Sequence, residues 1–80
     1  MPLFYFDYDD GEGDGQVRDH IGTDLSSLDA ARLEAARTIV ELAADTIPGH
    51  AQRQLTMVVR DEFGVSQLRL FLAFQMQDIG

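Results

Sequence analysis

Asp10, Glu12, Asp14 and Gly15 stand at the first, third, fifth and sixth positions of a calcium-loop spacing. Alternating carboxylates offer hard oxygen ligands there, and the glycine permits the sharp turn between them. The twelfth position, where such a loop needs a bidentate Glu, falls on Ile21. The flanking residues also read as strands rather than helices. The expectation is a solvated, glycine-rich hairpin loop with a weak calcium candidate at Asp10, Glu12 and Asp14, and no metal or cofactor otherwise. His20 and His50 lie far apart with no paired ligand spacing and read as surface residues. Ser26 and Ser27 precede a helical pattern, where a hydroxyl caps orphan N–H groups rather than attacking a substrate. The chain has no Gly-x-Ser-x-Gly, no phosphate-binding loop and no dinucleotide fingerprint. No catalytic set is expected, and the chain does not read as an enzyme.

The elements that must position these residues belong to one domain, residues 1–80. Hydrophobic residues make up 45% of the chain, too many for a disordered segment. Cysteine is absent, which rules out disulfides and thiolate metal sites. Met1 leads directly into a strand-like segment with no basic and apolar leader, so no signal peptide is expected and the expected location is the cytoplasm. No apolar run approaches the ~18 residues of a membrane span. Fourteen acids against six arginines give a net charge of -8. That field keeps a small protein soluble, repels nucleic-acid phosphates, and would suit a basic partner.

Leu3 to Tyr8 is aromatic-rich and reads as a strand over about 3–8. The loop from Asp9 to Gly15 breaks it, and a more polar strand follows over 16–21. A helix is expected over 27–46, opened by a serine cap and Asp29, and closed at Pro48-Gly49. Strands follow over 54–62 and 65–77, joined at Phe63-Gly64. Leu68, Leu70, Leu72, Phe74 and Met76 share one parity in the last strand, the clearest periodic signal in the chain.

The pattern predicts an α+β fold, ββαββ, with two hairpins flanking one long helix that covers one face of a four-stranded sheet. The first and last strands are the most apolar and so are placed at the centre. Arg18, Asp19, Arg60 and Asp61 suit edges. Counting strands along the chain, this gives the order 2-1-4-3, with the first and fourth parallel in a mixed sheet. Phe4, Phe6, Val17, Ile21, Leu55, Met57, Val59, Leu68, Leu70, Leu72, Phe74 and Met76 then face the helix, which answers with Leu28, Ala31, Ala35, Ile39 and Leu42.

The apolar arc of the helix extends further, to Leu33, Val40 and Ile47, beyond what a helix on one sheet face requires. Glu34–Arg37 and Arg37–Glu41 have ion-pair spacing on its polar side. The other sheet face carries Tyr5, Val58, Phe71 and Ala73 among Arg60 and Arg69. Such a surface predicts a protein-interaction module, with a second copy as the expected partner and a homodimer as the expected state. Aromatics beside arginines also occur on RNA-binding sheets, but the acidic charge weighs against nucleic acid.

The start Met1-Pro2-Leu3-Phe4-Tyr5-Phe6-Asp7 resembles an uncharacterised bacterial family of short proteins known as a domain of unknown function. The similarity continues through Arg18-Asp19, Gly22-Thr23-Asp24-Leu25, Asp29-Ala30-Ala31 and Glu34-Ala35. It closes on Val59-Arg60-Asp61-Glu62-Phe63-Gly64 and the strand from Leu68 to Phe74. It implies a fold but no activity. A weaker likeness, to HicB-type antitoxins, would imply an acidic protein that neutralises a basic partner.

Overall fold

The computed structural model describes residues 2–13 and 15–80. The chain forms β1 (Leu3–Asp9), β2 (Gln16–Val17), β3 (Thr23–Asp24), α1 (Leu28–Thr46), a 3-10 turn (Ile47–Gly49), β4 (Gln52–Arg60) and β5 (Ser66–Gln75). It is an α+β fold with one helix and an antiparallel five-stranded sheet.

The expected second strand, 16–21, shortens to Gln16–Val17, and a separate short strand forms beyond it at Thr23–Asp24. Val17 pairs with Tyr8 near the end of β1, and Thr23 pairs with Phe4 near its beginning. Between them the chain leaves the ladder at residues 18–22. The order β2-β1-β4-β5 corrects the expected arrangement, because β4 rather than β5 lies beside β1, and antiparallel to it. The charge of Arg60 argues for an edge only while it lacks a counterion. A carboxylate on β1 meets it, so a central strand can hold it. β5, the most regularly apolar strand, is at the edge, with one face shielded by α1.

The helix opens at Ser27, whose Oγ accepts the Ala30 N–H at 3.1 Å. Asp29 sits in the first turn and pairs with Arg32 at 3.0 Å. The pairs Glu34–Arg37 and Arg37–Glu41 do not form. Past Thr46 the chain tightens into the 3-10 turn that carries Pro48.

Ala31, Ala35, Ile39 and Ala43 recur every four residues and are all buried. The alanines bring the helix backbone close to the sheet, against Leu55, Met57 and Val59 of β4, which are the largest fully buried side chains. Each of these three contributes roughly 1.5–3 kcal/mol by leaving water. Phe4 completes the core, and Phe6, Tyr8, Leu28, Leu42, Ile47, Leu68, Leu70 and Leu72 pack around it. Val17, Ile21 and Met76, expected under the helix, are exposed: Val17 lies in the two-residue edge strand β2, Ile21 in the excursion after it, and Met76 past the end of β5. The molecule is elongated, about 52 × 24 × 16 Å, with a radius of gyration of 13.9 Å.

Candidate functional site

The open sheet face is built from alternate residues of three strands. Tyr5 lies opposite Arg60, Asp7 opposite Val58, and Val58 opposite Arg69 on its other side. Phe71 lies opposite Thr56, and Ala73 opposite Gln54. Phe71 is 60% exposed.

At one end of this face the excursion 18–22 closes a polar cluster. The Arg60 Nε donates to Asp7 Oδ2 at 2.6 Å, and its Nη2 donates to Asp7 Oδ1 at 3.0 Å and to the Asp19 carbonyl at 3.0 Å. The guanidinium lies 5.0 Å from the Tyr5 ring centroid, within cation–π range. The Asp19 carboxylate accepts the N–H groups of Phe6, Ile21 and Gly22 at 3.1, 2.9 and 3.1 Å, while its own N–H donates to Asp7. Phe6 is the middle one of the three β1 residues between the β2 and β3 pairings, so a side chain stands in for the missing strand. Gly22, at φ +80, packs on Tyr5; a Cβ there would sit 3.0 Å from the ring.

The charges follow from these contacts. The Arg60 guanidinium holds the Asp7 carboxyl below its ordinary value, against the opposing pull of burial. Burial is the largest single influence on Asp19 and would raise it. The N–H donors of Gly22, Phe6 and Ile21 together prevail and lower it. Both groups are therefore stable carboxylates.

Beside the cluster runs an open groove of about 460 Å³, lined by Asp9, Arg18, Thr56, Val58, Arg69 and Phe71 among others. A larger hollow of about 700 Å³ lies at the far end of the sheet by Gly11, Arg53, Gln54 and Phe74.

The expected interaction residues therefore divide. Val58, Phe71, Ala73 and Arg69 lie together on the open face. Tyr5 and Arg60 belong to that face too, but Arg60 is tied to Asp7 and Asp19. Leu33 and Val40 are 55% and 57% exposed on the helix, whereas Ile47 is partly buried against the core and drops out of the proposed surface. In the acidic loop, Asp10 accepts the Glu12 N–H at 2.9 Å, and Glu12 pairs with Arg53. Asp14 lies outside the described residues. Among the described residues no three metal-ligating side chains converge. His50 is an exposed turn residue whose Nδ1 meets the Thr46 carbonyl at 2.9 Å.

Sequence reasoning missed Asp19 as a structural ligand. Its signal lies in Arg18-Asp19 followed by Gly22, where an Asp can close a local turn onto N–H groups two and three residues on. Tyr8 was also missed. It lies on the helix side, and burial raises its phenol pKa.

A family model, described as a domain of unknown function (DUF6894), matches residues 3–73. The chain belongs to that family. The span matched by DUF6894 includes the whole cluster of Tyr5, Asp7, Asp19, Gly22 and Arg60, along with most of β5. No curated protein and no solved structure matches the chain. Among the described residues no helix is long and apolar enough to cross a membrane.

Proposed function

We propose that this DUF6894 protein is a non-enzymatic protein-interaction module that associates with a second copy of itself. The observation that carries this reading is the apolar surface left outside after the helix has covered the sheet: Phe71 on the open face, and Leu33 and Val40 on the helix. The ionisable cluster supports a structural rather than a catalytic role. Asp7, Asp19 and Arg60 are bonded to one another, and the carboxyls are pulled down, away from the neutral range of a general acid or base. Size-exclusion with light scattering tests the reading. A mass of twice 8.9 kDa at tens of micromolar supports it, and a monomer at every concentration overturns it.

A further inference from the structure

β5 presents an unpartnered edge. It runs ten residues, Ser66–Gln75, at one end of the strand order, and no described strand pairs with its outer side. Exposed edges are ordinarily blunted by lysine, proline, a bulge or extreme shortness. Ser-Gln-Leu-Arg-Leu-Phe-Leu-Ala-Phe-Gln has neither lysine nor proline, and the ladder irregularity falls on the β4 side, at Val59/Arg60.

We infer that β5 pairs antiparallel with β5 of a second copy, about a two-fold axis at Phe71, so that one sheet runs through both molecules. The inference rests on the self-association reading and specifies the part of its interface that holds Phe71. A two-fold perpendicular to the sheet keeps both helices on one side and sets residues of equal parity opposite each other. Centred on Phe71, the pairs are Leu70 with Leu72, Leu68 with Phe74, Arg69 with Ala73, and Gln67 with Gln75. Every helix-side residue among these then meets an apolar partner. Centring on Leu70 instead would set Phe74 against Ser66.

The paired strands themselves carry little charge. Arg69 is the one charged residue in β5, and in this register the two copies of it stand about 14 Å apart along the strands, beyond the screening length at physiological salt. The carboxylates of Asp9, Asp10 and Glu12 lie on β1 and the β1–β2 loop, with β4 between them and β5. Approach through β5 keeps these loop carboxylates apart, and sets only Asp78, past the end of each β5, towards the Asp61–Glu62 turn of the other copy. Approach through β2 would bring the loop carboxylates together.

The absence of cysteine makes a direct test available. In Phe71→Cys the paired thiols would lie at directly opposed positions, within disulfide reach, whereas in Ala73→Cys they would not. With oxidised glutathione as the oxidant, Phe71→Cys is expected to form covalent dimer at least about tenfold faster than Ala73→Cys, and Arg69→Cys mixed with Ala73→Cys to form the crossed dimer. Phe71→Lys should raise the dimer Kd by roughly tenfold or more by opposing like charges. Val17→Lys, at the far edge, should leave it unchanged. A dimer by light scattering whose Phe71→Cys form crosslinks no faster than Ala73→Cys overturns the β5 register and leaves self-association standing. A strict monomer with no crosslinking overturns both.

Discussion

Arg60 and Asp7 are joined by two hydrogen bonds across neighbouring strands, yet neither is the other's ladder partner. Asp7 lies opposite Val58, and Arg60 lies opposite Tyr5. The long arginine reaches diagonally and covers Tyr5 on the way. The side chains are only 12% and 21% exposed, so removing one partner strands the other's charge away from water. Arg60→Ala is expected to cost about 2–4 kcal/mol in urea unfolding followed by circular dichroism. Arg60→Lys should recover only part of this, because an ammonium cannot fork onto both carboxylate oxygens. A cost below about 0.5 kcal/mol for Arg60→Ala would show the pair to be no stronger than an ordinary surface contact.

Acid should undo the same cluster. The folded-state carboxyls of Asp7 and Asp19 are lowered, so the unfolded chain binds protons first as pH falls. Their stabilisation is complete above the unfolded carboxyl value of about 4 and is lost as pH drops through the folded values below it. The urea midpoint should be flat across neutral pH and fall below about pH 4. In Asp19→Asn that acid slope should be shallower. An unchanged slope would show that Asp19 is not among the groups responsible.

The helix–sheet contact depends on small side chains. Ala35 is fully buried, so Ala35→Leu should overpack the junction and cost about 1–3 kcal/mol. Leu55→Ala should empty the opposite side at about 2–5 kcal/mol. Leu33→Ser, on the exposed side, should change stability by less than about 0.5 kcal/mol. Thermal and urea unfolding of the three variants would rank them.

Two glycines separate backbone strain from crowding. Gly64 has φ +83 and open space where a Cβ would sit, so Gly64→Ala should cost only the left-handed penalty of about 1–2 kcal/mol. Gly22 has nearly the same φ, but Tyr5 stands 3.0 Å from where its Cβ would be. Gly22→Ala should therefore be the more damaging of the two in urea unfolding, and Gly64→Ala equalling or exceeding it would contradict the packing described.

The helix is legible in the sequence because Ser27, Asp29 and the four-residue spacing of Ala31, Ala35 and Ile39 agree with one another. The two long hairpin strands are legible from the alternation at Leu55-Met57-Val59 and Leu68-Leu70-Leu72. Strand order is not, because polarity alone does not mark an edge. Arg60 sits in a central strand, since its counterion comes from Asp7, more than fifty residues away in sequence. The break in the second strand is hidden for a related reason: Asp19 satisfies the Phe6 N–H with its side chain, and alternation rules count only backbone partners. The open-face group of Val58, Phe71, Ala73 and Arg69 follows from parity alone, whereas Ile47 is misplaced because helical phase does not register the tightening into a 3-10 turn.

The long, thin outline has a practical bearing on hydrodynamics. A typical folded chain of this length has a radius of gyration near 11.6 Å, about 2.2·N^0.38, against 13.9 Å here. A lone molecule should therefore tumble slowly and elute early, imitating a heavier particle on a column calibrated with round standards. Retention volume would overstate the mass, by roughly 1.6-fold on the same scaling, so stoichiometry has to come from scattered intensity or sedimentation equilibrium, which weigh the particle regardless of its drag.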